Sequence, residues 1–208
     1  MTPGVAFSLV RPSPSATVPA PEEQRMLFHT SWKEYVVLRE LLDTPGLRMT
    51  FLRGALEIMS PSSDHEIWKK NIARVVELHA HLKGIDLRGY GSTTFRKETE
   101  DRGAEPDECY LLGRRLTDYP DIVLEVIKTA PLVDKLDVYA SMEIPEVWIF
   151  REGVLSVHGL DGTKTRYETR PRSSFLPDLD MTLVARFAQR EDIGQALREF
   201  EIASGLTR

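Results

Sequence analysis

The sequence predicts a mixed α/β (α+β) domain in which helices flank a central mixed sheet. The first observation is the apolar run at residues 121–127, which is typical of a strand buried on both faces. The second is its setting, since a short helical pattern and another apolar run, residues 147–150, follow it. The third is that strand-like segments joined by glycine-containing turns lie on both sides of this unit, with helical patterns at the start, middle and end.

The chain of 208 residues is predicted to form one domain, residues 26–208, behind a disordered arm, residues 1–25. The arm is broken by prolines and lacks the basic start of a signal peptide. A net charge of −5 argues against a protein that coats nucleic acid indiscriminately. The single cysteine, Cys109, excludes an intramolecular disulfide, and no apolar run approaches the length of a membrane helix. We therefore expect a cytoplasmic protein with no membrane partner.

Helical spacing begins after Ser31, which has capping-box spacing to Glu34, and continues to about Asp43. Residues 47–52 and 55–59 are then predicted to form a hairpin around a glycine turn. A second helix is predicted at residues 64–83, with a capping box from Ser63 to Glu66. It is followed by strands at residues 86–97 and 105–112. Beyond residue 150, residues 154–160 and 165–169 indicate a meander, and residues 183–200 indicate a closing helix.

Glu125 is the single acid within the buried strand, and an ionised carboxylate there is costly without a cation or hydrogen-bond donors. Asp107 lies in the preceding strand. If the two strands are antiparallel neighbours, residues 107 and 125 are equidistant from residue 116 and can lie side by side. Two adjacent carboxylates repel, and a shared Mg²⁺, which prefers oxygen ligands, removes that cost. Glu57 is a third candidate acid, although a solvated or salt-bridged strand acid is the simpler interpretation of its position.

A lysine near the attacking water would favour phosphodiester cleavage, because it can orient or help deprotonate the nucleophile. Lys128 follows Glu125 by three residues, and an odd separation on a strand places it on the other face. Lys135 lies on the following helix, where the apolar residues around it direct it toward the sheet. We prefer Lys135. The alternative is a lysine whose stem is buried while its ammonium group reaches solvent.

Four short segments resemble the Uma-type family of putative restriction endonucleases, within the PD-(D/E)xK nuclease superfamily. They are residues 56–65, residues 105–110, residues 120–125, and Asp134-Lys135 with Tyr139 and residues 145–148. The resemblance extends from about residue 30 to residue 187. It implies a restriction-endonuclease-like core, hydrolysis of phosphodiester bonds in DNA with Mg²⁺ (or Mn²⁺ as a substitute), and a homodimer.

By position, the resemblance assigns Asp107 and Glu125 as metal-binding acids, Glu57 as the acid of the first strand, and Lys135 as the lysine. The chain departs from the superfamily pattern at Ile127, where a strict (D/E)xK motif has lysine. His65 matches the histidine at the start of the long helix. At that place a histidine can contact a phosphate, contact Glu57 or cap the helix. His65 and Lys128 are thus further candidates for contacts to a phosphate or to the principal site residues.

The sequence leaves two alternatives to a metal-dependent endonuclease. The first is a catalytically inactive dimer that keeps the nuclease fold and binds DNA or a protein, which the acidic charge balance and the missing lysine at Ile127 favour. The second is a hydrolase with a nucleophilic serine or cysteine. The sequence argues against it, because there is no Gly-x-Ser-x-Gly motif and Cys109 has no evident histidine partner.

Overall fold

The computed structural model describes residues 22–44, 46–113 and 118–205. Within these ranges the chain forms eleven strands and five α-helices. In chain order they are β1 Gln24–His29, α1 Trp32–Leu41, β2 Arg48–Leu52, β3 Ala55–Ser60, α2 Ser63–Lys83, β4 Leu87–Gly89, β5 Phe95–Lys97, β6 Arg102–Ala104, β7 Glu108–Leu112, β8 Ile122–Ile127, α3 Lys135–Ser141, β9 Glu146–Arg151, β10 Val154–Leu160, β11 Tyr167–Arg170, α4 Met181–Ala188 and α5 Ile193–Ala203. The mixed α/β class is confirmed.

The larger sheet has six strands in the order β11-β10-β9-β8-β7-β4. Strands β8 and β9 are parallel, and the remaining neighbours are antiparallel, so the sheet is mixed as expected. A parallel pair needs a crossover connection, and α3 lies in the connection between β8 and β9. Strand β8 is therefore next to both the antiparallel strand β7 and the crossover that carries α3.

A second sheet was not expected from the sequence. It has five antiparallel strands in the order β1-β3-β2-β6-β5. Its centre is the predicted hairpin of β2 and β3, whose turn is Arg53-Gly54. Both turn residues have positive φ, 46° and 86°, which is the conformation that two-residue hairpin turns favour.

Strand β8 is apolar on both faces because both faces are covered. Ile122, Leu124 and Val126 belong to a cluster with side chains of α2, α4 and α5. Val123, on the opposite face, packs in a cluster with side chains of α3. Since side chains alternate along a strand, Glu125 faces α3 with Val123. The fold thus places the acid of β8 beside the helix that carries Lys135.

Two predicted helix boundaries need correction. The N-cap of α2 is Ser62 rather than Ser63, because Ser62 has extended backbone angles and its hydroxyl accepts the N–H of His65. The predicted closing helix is two helices, α4 and α5. Asp192 caps the second of these by accepting the N–H of Gln195, so the chain starts a new helix there.

The predicted strand at residues 86–97 is also divided, since β4 joins the larger sheet and β5 joins the smaller one. Gly91, between them, has a φ of 61°, a left-handed conformation that interrupts a strand. At the N-terminus, residues 1–21 of the predicted arm lie outside the described residues, and β1 begins at Gln24. Among the described residues, no helix combines the length and the apolar character needed to span a membrane.

Candidate active site

Asp107 and Glu125 lie beside each other where β7 and β8 meet. The register pairs Glu108 with Leu124 and Cys109 with Val123; Asp107 directly precedes β7, which begins three residues later than predicted, and its Oδ2 accepts the N–H of Val126. This is the arrangement predicted from their equal distance to residue 116. Both side chains are buried, with relative exposures of 1% and 2%. Two buried carboxylates at adjacent positions require compensating charge.

Lys135 supplies the charge that compensates Glu125. Its ammonium group donates to Glu125 Oε2 at 2.6 Å, and the hydroxyl of Tyr139, one turn further along α3, donates to Oε1. Burial raises the pKa of Glu125, and Lys135 opposes that rise. Burial also disfavours the charged form of Lys135, but attraction by Glu125 and Asp107 prevails and raises the pKa of the lysine. Lys135 is therefore a cation at neutral pH.

His65 is the cation that faces Asp107. Its Nε2 is 3.1 Å from Asp107 Oδ2, which also accepts the backbone N–H of Val126 at 2.8 Å. Burial disfavours the imidazolium form, but Asp107 and Glu66 outweigh it and raise the pKa of His65 to about 9. Burial would likewise raise the pKa of Asp107, yet His65 and Lys135 hold it below its ordinary value. The pair is thus ionised on both sides at neutral pH.

Glu57 is directed toward the loop between β8 and α3. Its Oε1 accepts from Arg25 Nη1 at 2.5 Å, and its Oε2 accepts the backbone N–H groups of Leu132 and Val133, the latter at 3.2 Å. Arg25 in turn donates to Glu23 at 3.0 Å. Each of the three predicted acids, Glu57 included, therefore faces a cationic side chain of the protein.

Lys128 lies away from Glu125, as the odd separation along the strand predicted. Its ammonium group is 2.5 Å from Asp64 Oδ2 and 5.6 Å from the ring centre of Trp68, both on α2. A cleft of about 370 Å³ adjoins it, lined by residues at the start of α2, the loop after β8 and the chain before β1: Glu22, Glu23, Ser62, Ser63, Asp64, Lys128 and Thr129. Lys128 is thus at the rim of a polar cleft whose lining does not include Asp107, Glu125 or Lys135.

Asp107 and Glu125 provide carboxylate oxygens, the type of ligand that a hard divalent cation such as Mg²⁺ prefers. Asp107 Oδ1 is buried and has no hydrogen-bond partner among the described residues, so one carboxylate oxygen is available beside Glu125. Among the residues that the structure describes, no group of three or more His, Cys, Asp or Glu side chains is arranged to bind a metal ion. A metal at this place would therefore be bound by Asp107 and Glu125, with water completing the coordination.

Three residues of the site were not identified from the sequence. Tyr139 belongs to a segment that resembles the Uma-type family, but the resemblance gives it no role in the site, although its spacing of four from Lys135 indicates the same helix face. Arg25 lies at the end of the predicted arm, and Glu23 lies within it. Their side chains are nevertheless 5% and 2% exposed, and the structure brings Arg25 to Glu57 and Glu23 to Arg25.

Comparison with known proteins gives one family. The model of the Uma2 family, described as "Putative restriction endonuclease", matches residues 32–188. Among solved structures, a crystal structure described as a putative nuclease belonging to DUF820 from Anabaena variabilis is similar, with a TM-score of 0.46 and 14% identity. The match covers 78% of this chain and 98% of that one. No match was found among curated proteins.

Proposed function

Because the chain belongs to the Uma2 family of putative restriction endonucleases, we propose that it is a metal-dependent endonuclease that hydrolyses phosphodiester bonds in DNA. The observation that supports this most directly is the buried contact of 2.6 Å between Lys135 and Glu125, beside Asp107, whose Oδ2 accepts the N–H of Val126. A cation next to two carboxylates at a strand junction is the set of groups that such a reaction uses. The reaction adds the oxygen of water to phosphorus and breaks one P–O ester bond, and the departing oxygen takes a proton.

Asp107 and Glu125 would hold Mg²⁺, for which Mn²⁺ can substitute. When bound, the ion supplies Lewis-acid stabilisation of the negative charge that develops on the phosphoryl oxygens. Lys135 remains protonated, since attraction by the two acids exceeds the effect of burial and raises its pKa. It therefore orients the attacking water and offsets charge in the transition state, rather than removing a proton.

Two other predicted residues act through these groups. His65 holds Asp107 by charge at 3.1 Å, without hydrogen-bond geometry, and Asp107 Oδ1 has no hydrogen-bond partner among the described residues. Glu57 fixes the loop before α3 by accepting the N–H groups of Leu132 and Val133. Neither role requires Glu57 or His65 to contact the substrate.

The test is cleavage of supercoiled plasmid by the purified protein with Mg²⁺ or Mn²⁺, and with EDTA. We expect nicking that requires the metal. Asp107→Asn should reduce the single-turnover rate by about 10²-fold or more, the typical loss when one group that stabilises the transition state is removed. Asp178→Asn is the matched control, because its carboxylate forms an exposed ion pair with Lys83 at 3.5 Å. Equal cleavage by all three proteins would identify a contaminant and refute the assignment.

A specific observation favours a second candidate, a nuclease fold that binds DNA or a protein without cleaving. The three acids are already compensated by Arg25, His65 and Lys135, so this site needs no metal for charge balance. Calorimetric titration with Mg²⁺ separates the two functions. Absence of metal binding at millimolar concentration, with and without DNA, supports the binding module. A homodimer is proposed for either function, and sedimentation equilibrium tests it.

A further inference from the structure

We propose that Arg25, with Glu23, is a positioning residue of this site: acting through Glu57, it fixes the loop that brings Lys135 to Glu125. The inference rests on the proposed function and extends it to residues outside the span of the family model, which begins at residue 32. Strand β1 thereby becomes part of the site.

The burial pattern of β1 is the first observation. Met26, Leu27 and Phe28 are 51%, 45% and 44% exposed, whereas the side chain of Arg25 is 5% exposed. A strand that exposes its apolar residues and buries its arginine does not follow the usual pattern. Leu27 pairs with Glu57 across the β1–β3 ladder, so Arg25, two residues earlier, is a diagonal neighbour on the same face. The arginine is thus directed at one particular acid.

The second observation concerns the groups that accept hydrogen bonds from the backbone of the β8–α3 loop. Its backbone N–H groups at Leu132 and Val133 donate to Glu57, and that of Thr129 donates to Glu23 at 3.1 Å. The carboxylates that accept these bonds come from β3 and from the residue before β1. Arg25 joins the two carboxylates, because it donates to Glu23 through Nε and to Glu57 through Nη1.

The β8–α3 loop ends directly before Lys135. Asp134 caps α3 by accepting the N–H groups of Leu136 and Asp137, and Lys135 is the first residue of the helix. A shift of Val133 therefore moves Lys135 relative to Glu125. Without Arg25, Glu57 is a buried carboxylate with no cation, and its N–H contacts lose the support of an adjacent positive charge. The position of Lys135 relative to Glu125 therefore depends on β1.

The experiment uses the full chain and compares Arg25→Met with Arg190→Met. Arg190 is the matched control because it forms a two-bond pair with Glu199, at 2.8 and 3.3 Å, between α4 and α5. Hydrogen exchange followed by mass spectrometry measures the peptide that spans residues 128–134, in EDTA. We expect exchange of this peptide to rise at least tenfold in Arg25→Met and to stay within about twofold of wild type in Arg190→Met. Unchanged exchange in Arg25→Met overturns the proposal.

Cleavage kinetics distinguish positioning from general destabilisation. Below the unfolding transition, Arg25→Met should lower the single-turnover rate by about 10²-fold, the loss associated with displacement of a group by about 1 Å. The dissociation constant for DNA should change less than about threefold. A large loss of DNA affinity with an unchanged rate would instead place Arg25 in contact with the substrate and overturn the positioning role.

A second variant covers the case in which Arg25→Met does not fold. In Arg25→Met/Glu57→Gln residue 57 no longer carries a charge that needs the arginine, and its amide oxygen can still accept from Leu132 and Val133, while Glu23 keeps its charge and loses its ion pair. We expect the double variant to fold with exchange that remains raised at Thr129, because Glu23 has lost its arginine. Exchange equal to wild type throughout the peptide refutes the proposal. Since exchange is read without metal or DNA, it tests the loop even if the wild type proves not to cleave.

Discussion

Replacement of the two candidate lysines by methionine should give opposite results. Lys135 is buried and contacts Glu125 at 2.6 Å, so Lys135→Met leaves a buried carboxylate with only the hydroxyl of Tyr139. Removal of one partner of a buried pair costs about 3–5 kcal/mol, and uptake of a proton by Glu125 reduces that cost. Lys128 is about one-third exposed, and its pair with Asp64 should contribute no more than about 1 kcal/mol.

The same comparison separates the lysines in catalysis. Lys135→Met should lower the single-turnover cleavage rate by about 10²- to 10³-fold, because it removes a donor directed at charge that develops in the transition state. Lys128→Met should leave that rate within about threefold. An effect on DNA affinity that weakens as salt is raised is compatible with its place at the rim of the cleft.

Urea unfolding in EDTA, followed by circular dichroism, gives the free energies of unfolding. Plasmid nicking at saturating protein and Mg²⁺ gives the rates, measured well below each melting temperature. A larger rate loss in Lys128→Met than in Lys135→Met would refute the assignment of the lysine. A loss of stability below about 1 kcal/mol in Lys135→Met would refute the argument from the buried pair.

Three further predictions concern other buried groups. The pKa of His65 is raised from 6.5 to about 9, so its stabilising pair with Asp107 is complete below pH 6.5 and is lost as pH rises through 9. At about 1.4 kcal/mol per pH unit this is about 3 kcal/mol, which urea unfolding in EDTA should detect in wild type and not in His65→Gln. Burial raises the pKa of Cys109 to about 12, so a thiol reagent at pH 8 should label the folded protein slowly and the urea-unfolded protein at once. Rapid labelling of the folded protein would contradict this. Asn71 donates to the carbonyl groups of Ala188 and Arg190 at 3.0 and 2.7 Å, and Asn71→Ala should lower the free energy of unfolding by about 2 kcal/mol, as measured in urea.

The centre of the site could be predicted because it depends on local periodicity. Antiparallel pairing predicts Asp107 beside Glu125 once the turn between their strands is assumed to be symmetric, and the observed register of β7 with β8 is the one that this assumption requires. Tyr139, one turn after Lys135 on α3, is buried and places the lysine toward the sheet, whereas the apolar residue Leu132 precedes the helix and is 50% exposed. Lys135 does contact Glu125, as expected from that spacing.

The periphery of the site depends on contacts that no local pattern encodes. Arg25 reaches Glu57 through a strand pairing over 32 residues of sequence, and β1 lacks the alternation that would identify a buried face. The role of Glu57 could not be predicted either, since its partners at residues 132 and 133 are backbone groups in a loop. The second sheet was missed for a related reason: its edge strand β5 is three residues long and follows Gly91, whose conformation ends the preceding extended segment.

Because each buried acid is paired with a basic side chain, folding does not depend on metal binding here, although the two are often linked in metalloproteins. A site built only from acids would repel itself without its ion, and a chelator would unfold it. Here Arg25, His65 and Lys135 supply that balance from within the chain. The apoprotein can therefore fold and persist at low divalent-cation concentration, and chelation should switch off cleavage reversibly without changing the amount of folded protein.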